Sequence, residues 1–413
     1  MDVAENKAEN IVVVGAALAG ARAVTALREE GHDGPITLIG AEPHVPYERP
    51  PLSKGYLLGN DKLESAFVHP EEWYAENDVT LRLRTRATAI DREAHRIELA
   101  DGDTLPYDRL LLTTGAQPRP LNLPGVDELG PRYLRTIEDS QALKAAFTPG
   151  ARVVVVGAGW IGLETAAAAR HAGSDVVVLE YAELPLLRVL GPEMAQVFAD
   201  LHREQGVDLR LGARIASARA GALVLEDGST VEGDVFLAGV GVAPDVQLAQ
   251  EAGLTVDDGV VVDASLRSSD PAVFAAGDVA SAFHPFYNRH LRVEHWANAL
   301  HQPQVAARSM LGKRTVYERL PYFFSDQYDL GMEYIGYALP GQYQRVVVRG
   351  DQKAREFIAF WLSGDHVVAG MNVNVWDVVD PIQRLIRERV TVDDRRLADP
   401  GVPLDALVPA EAS

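Results

Sequence analysis

Two segments of this chain share a pattern that restricts the fold more than any other feature of the sequence. Residues 11–42 read IVVVGAALAGARAVTALREEGHDGPITLIGAE, and residues 153–183 read VVVVGAGWIGLETAAAARHAGSDVVVLEYAE. Each has a β-branched run, a glycine-rich turn, an alanine-rich helical stretch and a second apolar run. Because strands that are buried on both faces are almost continuously apolar, each segment predicts a βαβ unit of a parallel sheet. The sequence therefore predicts two nucleotide-binding domains.

The second segment carries a complete glycine turn between its strand and its helix. The turn contains Gly157, Gly159 and Gly162. Glycines at such positions let backbone N–H groups approach a pyrophosphate at the helix N-terminus, where the helix dipole favours negative charge. The alternative is that the glycines only ease the packing of the helix on the strand. The strand–turn–helix context favours a dinucleotide site.

Glu180 ends the next strand of this unit and indicates which dinucleotide binds. Its carboxylate is placed to accept hydrogen bonds from an adenosine ribose, and its charge would repel a 2′-phosphate. Tyr181 follows it, where an enzyme that uses NADP often has arginine. The pattern favours NADH, while Arg188 downstream keeps NADPH as the alternative.

The first segment departs from the pattern at two places. Its turn contains Gly15 and Gly20, but Ala17 stands where the middle glycine is expected. A methyl group there is tolerable, although it narrows the approach to the phosphates. The expected acid is also displaced, because Gly40 ends the strand and Glu42 is the nearest carboxylate. Glu42 is either a ribose ligand or a solvated turn residue.

The composition excludes several classes of chemistry and of partner. The chain has 413 residues and no cysteine, so it cannot form a disulfide, a zinc–thiolate site, an iron–sulfur cluster or a thiol nucleophile. The histidine spacings match no metal motif, so redox chemistry would need a bound organic cofactor. The formal net charge of −20 disfavours nucleic acids and anionic membranes. Without a signal-peptide pattern or a membrane-length apolar run, we expect a cytoplasmic protein.

Two helical stretches are predicted towards the end of the chain. The first covers residues 296–311. Because proline lacks the N–H that a helix interior needs, Pro303 either places the start of this helix near residue 300 or kinks it. The second covers residues 377–390 and follows alternating apolar runs that predict antiparallel strands.

Six motifs follow one another along nearly the whole chain. They are VPYERPPLSKGYL (45–57), YLRTIED (133–139), GAGWIGLE (157–164), AAGDVA (275–280), VEHWANAL (293–300) and FFSDQYD (323–329). In these motifs and their order the sequence resembles the NADH-dependent ferredoxin reductases, which include the reductase components of aromatic-ring dioxygenases. The resemblance implies an α/β fold like that of glutathione reductase, with two Rossmann-like nucleotide-binding domains and a C-terminal α+β interface domain. It implies an FAD-binding domain (1–113 and 245–321), an NAD-binding domain (114–244) and an interface domain (322–413).

For FAD, the resemblance implies ligands in the first glycine turn and in several later motifs. They are Gly15, Ala19 and Gly20 at the pyrophosphate, Arg49 and Lys54 along the cofactor, Ala87 at the adenine, Arg135 on the flavin side, Gly277 and Asp278 at the ribityl chain, and Trp296 beside the isoalloxazine, with Glu42 as the candidate ribose ligand. Lys54 and the N-terminus of the helix after Trp296 would stabilise the anion of reduced flavin. The competing interpretations are a surface lysine for Lys54, a turn acid for Asp278 and a packing residue for Trp296.

For the dinucleotide, the resemblance extends the second glycine turn to the nicotinamide. The implied residues are Gly157, Gly159, Ile161 and Gly162 in the turn, Glu180 at the ribose, Glu164 at the nicotinamide, and Gly239 and Gly241 where the nicotinamide half lies flat. Trp160 occupies a position where the family often has tyrosine, so a gating or stacking role is implied. The residues expected to take part in catalysis are Lys54, Glu164 and Trp296.

The absence of cysteine also restricts how electrons would leave the flavin. Disulfide reductases of this fold place a thiol pair beside the flavin, and this chain cannot. The predicted cycle is hydride transfer from NADH to flavin N5, followed by two single-electron steps to a two-iron ferredoxin that serves a monooxygenase or dioxygenase. The alternatives are a reductase of rubredoxin or of a small molecule such as monodehydroascorbate, and a redox-sensing interaction protein similar to apoptosis-inducing factor.

A ferredoxin partner would need a local basic surface, because an acidic ferredoxin is repelled by a chain of net charge −20. Two groups of basic residues are candidates: Arg308, Lys313, Arg314 and Arg319, and Arg384, Arg387 and Arg389. The alternative is that these side chains only solvate helix faces.

Overall fold

The structure is a computed structural model, and it describes residues 9–408. The chain divides into two compact units. The first contains residues 9–49, 62–117 and 242–319, and the second contains residues 50–61, 118–241 and 320–408. Each unit contains one of the two glycine turns.

The strands are short, as is usual for sheets of this size. In chain order they are β1 (Ile11–Val14), β2 (Ile36–Ile39), β3 (Val79–Arg82), β4 (Ala87–Asp91), β5 (Arg96–Leu99), β6 (Thr104–Pro106), β7 (Arg109–Leu112), β8 (Ala116–Pro118), β9 (Arg152–Val156), β10 (Asp175–Leu179), β11 (Asp208–Arg210), β12 (Ile215–Arg219) and β13 (Ala222–Leu225). They continue as β14 (Thr230–Glu232), β15 (Val235–Ala238), β16 (Val242–Pro244), β17 (Val260–Val262), β18 (Val273–Ala275), β19 (Ala280–His284), β20 (Arg289–Leu291), β21 (Tyr322–Gln327), β22 (Leu330–Gly336), β23 (Arg345–Asp351), β24 (Glu356–Ser363) and β25 (His366–Val373).

The helices range from single turns to a long segment that is broken by a kink at Gly191. They are α1 (Leu18–Glu29), α2 (Gly55–Leu58), α3 (Glu71–Glu76), α4 (Val126–Leu129), α5 (Ile137–Ala146), α6 (Trp160–His171), α7 (Leu187–Glu204), α8 (Gln247–Glu251), α9 (Trp296–Met310), α10 (Val379–Arg387) and α11 (Asp394–Ala398). Within residues 9–408, none of the helices combines the length and the apolar character that crossing a bilayer requires.

The first unit is built around a parallel sheet of five strands in the order β18-β7-β1-β2-β3. Its central strand β1 is fully buried, as a β-branched run covered on both faces should be. Helix α1 follows β1 directly and packs against α9. Small residues such as Ala21 and Ala23 are buried on α1, and they let the helix lie close to its neighbours.

The second unit contains a parallel sheet of four strands in the order β11-β10-β9-β15. Helix α6 follows β9 and carries buried alanines from Ala166 to Ala169. The last part of this unit is an antiparallel sheet in the order β21-β22-β25-β24-β23. Helix α10 packs on β25 and β22, and α6 contacts β21. The contact between α6 and β21 places the C-terminal antiparallel sheet against the helix that follows the second glycine turn.

This architecture confirms the predicted fold class: two Rossmann-like parallel sheets with glycine turns, and a C-terminal α+β region. Helix α9 spans Trp296–Met310, in agreement with the predicted stretch 296–311, so the alternative start near residue 300 is wrong. The helix contains Pro303, because its packing on α1 compensates for the one hydrogen bond that proline cannot donate. Helix α10 spans only Val379–Arg387, so it is shorter at both ends than the predicted 377–390.

Candidate active site

The first glycine turn, in the first unit, is shaped by close approaches of backbone to backbone. Gly15 has a φ of +117°, and a Cβ added to it would lie 2.2 Å from the carbonyl oxygen of Thr113. A Cβ on Gly20 would lie 2.0 Å from the carbonyl oxygen of Gly15. Glycine is therefore required at both positions for α1 to start this close to the sheet.

The N-terminus of α1 is suited to an anion. Ala17 occupies the N-cap position in an extended conformation, and no side chain of the described residues caps the helix there. The N–H groups of a first helical turn have no partners within the helix, so they are available to phosphate oxygens. Ala19 is buried on this turn, and a Cβ on Gly277 would lie 3.3 Å from the Ala19 side chain. The structure thus places the predicted residues Gly15, Ala19, Gly20 and Gly277 together.

The second glycine turn, in the second unit, repeats this geometry with more room. A Cβ on Gly157, where φ is +99°, would lie 2.4 Å from the carbonyl oxygen of Gly239, and a Cβ on Gly162 would lie 2.1 Å from that of Gly157. Gly159 is the N-cap residue of α6, and a Cβ there would meet no atom within 4 Å. Open space at the middle glycine of a helix N-terminus is what a pyrophosphate cradle requires.

The other residues predicted for the dinucleotide lie next to this turn. Trp160 and Ile161 are the first residues of α6, and Ile161 is 42% exposed although it is apolar. The ring of Trp160 packs against Phe198 and Phe323, with ring centroids 5.5 Å and 5.1 Å away. The aromatic contacts hold Trp160 at the mouth of the turn.

Two further glycines follow β15 and border the same turn. A Cβ on Gly239 would lie 3.3 Å from Cα of Gly162, and Gly241 has a φ of +98°. The carbonyl of Gly241 accepts a hydrogen bond of 2.9 Å from the N–H of Arg119. Both glycines therefore keep the backbone after β15 close to the start of α6.

Glu180 lies directly after β10, one residue beyond the strand that was expected to contain it. Its carboxylate accepts hydrogen bonds from the N–H groups of Ala158 at 2.7 Å and Ala182 at 2.8 Å. These bonds fix an anion beside Gly157, where the ribose of a dinucleotide would lie. Tyr181 is 64% exposed, and the guanidinium of Arg214 lies 4.9 Å from the centre of its ring. The sequence reasoning did not identify Arg214, because it comes from another loop.

Glu42 in the first unit belongs to a cluster of polar side chains. Its carboxylate accepts hydrogen bonds from the hydroxyl of Tyr47 and, at 2.8 Å, from the guanidinium of Arg49. Desolvation lowers the pKa of Arg49, but Tyr47, Glu42 and Asp278 together raise it above its ordinary value. The structure thus brings Glu42, Arg49 and Asp278 together, and it adds Tyr47, which the spacing of the YER motif could have suggested.

Trp296 begins α9 in the first unit, and a hydrogen bond to Glu48 holds its side chain. Its indole N–H donates to a carboxylate oxygen of Glu48 at 2.8 Å. The side chain is partly buried. Burial lowers the pKa of the neighbouring His295 to about 4, so this N-cap residue is neutral at physiological pH. The N-terminus of α9 is therefore not occupied by a cationic ring.

Lys54 and Glu164 form a buried ion pair in the second unit. The Lys54 ammonium lies 2.5 Å from Oε1 of Glu164, and the two side chains are 16% and 3% exposed. The hydroxyl of Ser53 donates to Oε2 at 2.5 Å, and the hydroxyl of Ser325 donates to Oε1 at 2.7 Å. The ammonium also lies 5.4 Å from the centre of the Phe324 ring. Ser53 and Ser325 were not predicted as site residues, although they stand in the PPLSK and FFSDQ motifs.

A second carboxyl group lies close to this pair. Burial raises the pKa of Asp326; Lys54 lowers it, and the carboxylates of Glu164 and Glu333 raise it further. The hydroxyl of Tyr322 donates to Glu333 at 2.7 Å. Asp326 thus lies within electrostatic reach of the Lys54–Glu164 pair, and the closest acid to the Lys54 ammonium is Glu164.

The remaining predicted ligands lie at the ends of elements. Ala87 begins β4 in the first unit. Arg135 lies before α5 in the second unit, where its backbone N–H donates to Asp139 at 2.9 Å within the capping box of Thr136. The backbone of both residues is thus held by regular structure.

Comparison with protein-family models matches almost all of the described chain. Residues 9–302 match the model for pyridine nucleotide-disulphide oxidoreductases, and residues 322–408 match the model for a reductase C-terminal domain.

Individual relatives are similar over their whole length. The ferredoxin–NAD(+) reductase component of the anthranilate 1,2-dioxygenase system of Burkholderia cepacia is 44% identical over 407 residues, which cover 97% of this chain and 100% of that protein. Putidaredoxin reductase of Pseudomonas putida is 37% identical over 416 residues, which cover 98% of both chains. In the solved structure of the covalent putidaredoxin reductase–putidaredoxin complex, the matching chain has a TM-score of 0.93 at 37% identity, over 97% of this chain and 98% of that one.

Proposed function

Because this chain belongs to the NADH-dependent ferredoxin reductases of the pyridine nucleotide-disulphide oxidoreductase family, we propose that it carries electrons from NADH to a two-iron ferredoxin that serves a monooxygenase or dioxygenase. It is an oxidoreductase that uses FAD and NAD(H). When bound, FAD supplies the step from two-electron to one-electron chemistry. The observation that carries the proposal is the pair of open helix N-termini, each after a buried parallel strand, on α1 and α6.

In the first unit, the residues of the first turn hold FAD. The N–H groups at the start of α1 bind the pyrophosphate, and Gly15, Ala19 and Gly20 keep side chains out of its path. Glu42 and Arg49 bind along the adenosine half, and their mutual ion pair of 2.8 Å holds both in place. Gly277 and Asp278 bind the ribityl chain, and Trp296 lies beside the ring. Ala87, in the same unit, contacts the adenine. The resemblance assigns Arg135, which belongs to the second unit, to the flavin side.

In the second unit, α6 and its turn hold the dinucleotide. Gly157, Gly159 and Gly162, with Ile161, form the pyrophosphate cradle, and Glu180 binds the adenosine ribose through a carboxylate that two backbone N–H groups already orient. Gly239 and Gly241 leave the nicotinamide half free of side chains, and Trp160 stacks at the entrance. We also propose an FAD-binding domain formed by residues 1–113 and 245–321, an NAD-binding domain of residues 114–244 and an interface domain of residues 322–413. The proposed location is cytoplasmic.

Lys54 and Glu164 act as one unit in this scheme. As the resemblance implies, Lys54 would stabilise negative charge on the flavin and Glu164 would approach the nicotinamide. Glu164, buried against Lys54, sets the position of the ammonium. Hydride transfer needs no general base, so the task of these residues is electrostatic. The catalytic residues are therefore Lys54, Glu164 and Trp296.

The alternatives are not favoured. Both relatives described above are named as reductases of ferredoxin-type proteins. A reductase of rubredoxin or of monodehydroascorbate would need a different electron acceptor. A redox-sensing protein similar to apoptosis-inducing factor would need no electron acceptor.

An anaerobic titration followed by addition of ferredoxin tests the proposal. NADH should bleach the bound flavin at one equivalent per chain, and oxidised two-iron ferredoxin should restore the colour rapidly. A stable coloured complex with NADH that ferredoxin does not discharge would instead indicate a redox sensor. A flavin reoxidised by small quinones or dyes but not by any two-iron ferredoxin would reject the ferredoxin partner.

Coenzyme preference provides a separate test of Glu180. The variant Glu180→Ala should weaken NAD(H) binding by about tenfold, the effect of losing a hydrogen bond from a ligand to a charged group. The variant should also reduce the preference for NADH over NADPH, because it removes a carboxylate that repels the 2′-phosphate of NADPH. The positive charge of Arg214 stays in place beside Tyr181. Steady-state comparison of both coenzymes measures this effect. The exposed Glu183→Ala serves as control, and a wild-type protein that prefers NADPH would contradict the role of Glu180.

Ferredoxin docking can be tested by charge reversal. The structure shows that Arg308 and Lys313 both pair with Glu30, at 3.7 Å and 2.7 Å, so they attract an acidic partner less than Arg314, which is exposed. In the other basic group, Arg384 pairs with Glu388 at 3.2 Å, and Arg387 lies one turn away from it on α10.

The double variant Arg314→Glu with Arg387→Glu should slow ferredoxin reduction by about tenfold at low salt and leave dye reduction unchanged, because local charge steers association. Steady-state turnover with ferredoxin and with a small dye, at two salt concentrations, measures this. The double variant Arg96→Glu with Arg219→Glu, two exposed reversals on β5 and β12, controls for the same change in net charge. Equal losses in the control and the test variant would remove these surfaces from the docking site.

A further inference from the structure

A chain of buried hydrogen bonds leads away from Glu164 through β21 to α7. The hydroxyl of Ser325 lies 2.7 Å from Glu164 Oε1, and Nε2 of Gln327 lies 3.1 Å from that hydroxyl. Oε1 of Gln327 lies 2.8 Å from Nε2 of His202. Ser325 and His202 are 0% exposed and Gln327 is 1% exposed, so water does not compete for these groups.

The chemistry of the groups fixes the direction of every bond in this chain. Glu164 is paired with an ammonium, so its carboxylate only accepts, and the single hydroxyl proton of Ser325 must point to it. Ser325 must then accept from the amide N–H of Gln327. This leaves the amide oxygen of Gln327 towards His202, whose Nε2 must carry the proton. All three residues therefore donate towards Glu164.

The state of His202 agrees with this direction. Burial lowers the pKa of His202 to about 4, although its hydrogen bond to Gln327 raises it, so the ring is neutral at physiological pH. Its Nδ1 has no hydrogen-bond partner among residues 9–408, so a proton on that nitrogen would be a buried donor without an acceptor. The edge of the ring faces Tyr328, with ring centroids 5.3 Å apart.

We propose that Ser325, Gln327 and His202 form a positioning chain that fixes the orientation of the Glu164 carboxylate and, through it, of the Lys54 ammonium. The inference rests on the proposed function, because it assigns these residues to the site of flavin reduction. The carboxylate lies on α6, the ammonium lies just before α2, and Ser53 binds only Oε2. Oε1 is therefore held by Lys54 and Ser325 together, and Ser325 is in turn oriented by Gln327.

A set of four variants tests the chain on the FAD-loaded protein. Ser325→Ala removes the bond to Glu164, Gln327→Met removes the second link at similar volume, and the third variant combines both. Ser174→Ala is the matched control, since Ser174 is also 0% exposed in the second unit and donates one bond, to the carbonyl of Thr148 at 3.0 Å. The readouts are the midpoint potential of the flavin and the single-turnover rate constant for its reduction by NADH.

Ser325→Ala should lower the rate constant by about tenfold, the effect of one hydrogen bond to a charged group. Gln327→Met should lower it as well, although its side chain does not touch Glu164, and both should shift the potential in the same direction. The combined variant should be no slower than Ser325→Ala within about twofold, because groups of one network are not additive. Ser174→Ala should behave like the wild type. The positioning chain would be refuted if Gln327→Met kept the rate constant and the flavin potential of the wild type. It would also be refuted if the losses of the two single variants added fully in the combined variant.

A second measurement does not depend on NADH. In protein labelled with ¹⁵N-histidine, the signals of His202, identified by their loss in His202→Gln, should show a neutral ring protonated at Nε2 throughout the physiological pH range. Gln327→Met should abolish this preference. A ring protonated at Nδ1 or a charged ring in the wild type would refute the chain even if NADH reduces the flavin. If NADH does not reduce the flavin of the wild-type protein, the proposed function is refuted. The histidine signals would still show whether the hydrogen-bond chain from His202 to Glu164 exists.

Discussion

The variant Lys54→Met is expected to lower the free energy of unfolding by about 3–5 kcal/mol, because it leaves a carboxylate buried without its counter-charge. Glu164 is 3% exposed, and its ion pair with Lys54 has an N–O distance of 2.5 Å. The same change should slow flavin reduction by NADH by about a hundredfold, the size expected when one preorganised electrostatic group is removed. Urea unfolding at saturating FAD measures the first effect, and single-turnover kinetics measures the second.

The combined variant Lys54→Met with Glu164→Gln separates the two effects. The free energy of unfolding of the combined variant should regain most of what Lys54→Met loses, since a neutral amide costs much less to bury than an unpaired charge. Its rate of flavin reduction should stay low. Arg152→Met is the control, because Arg152 pairs with Asp234 at the surface and should matter far less. A combined variant as unstable as Lys54→Met alone would contradict the assignment of a buried charge.

Two glycine substitutions should remove the two cofactors separately. Gly157→Ala places a methyl group 2.4 Å from the carbonyl oxygen of Gly239, so the second turn must distort; NADH should no longer reduce the flavin, while FAD stays bound. Gly15→Ala places a methyl group 2.2 Å from the carbonyl oxygen of Thr113, so this protein should be purified without flavin. Calorimetric titration with NAD+ and the flavin content of the purified variants measure these results.

Gly228→Ala controls for backbone strain alone. Gly228 has a φ of +83°, similar to the others, but a Cβ there meets no atom within 4 Å. This variant should keep both cofactors with only the cost of the left-handed conformation, about 1–2 kcal/mol. If Gly157→Ala also released FAD, or Gly15→Ala still purified with a full complement of flavin, the two turns would not be independent cofactor sites.

The glycine turns could be predicted because the strand, the turn and the helix of each lie within a short stretch of sequence. Strand, turn, helix and acid follow one another from Val153 to Glu180, and the structure places them together. The buried ion pair is different. Ser53 and Ser325 reach Glu164 from 111 and 161 positions away, and only the packing of α6 on β21 and on the segment before α2 decides that they meet.

The same limit applies to the basic surface and to Trp296. The sequence positions of Arg308 and Lys313 could not reveal that Glu30, directly after α1, neutralises part of this basic group. Trp296 could be singled out from its motif, but the partner that holds its indole, Glu48, lies 248 positions earlier. Charge balance and side-chain orientation at the site therefore depend on tertiary contacts, whereas the pattern of strand, glycine turn and helix can be recognised within one short segment.

The central claim is that NADH passes hydride directly to the FAD of the same chain. Anaerobic stopped-flow bleaching of the flavin with NADH and with NADH deuterated at the transferred position tests it most directly. We expect complete bleaching in one turnover and a slower reaction with the deuterated coenzyme. A flavin that stays oxidised at saturating NADH, or that bleaches at a rate independent of the label, would contradict the claim.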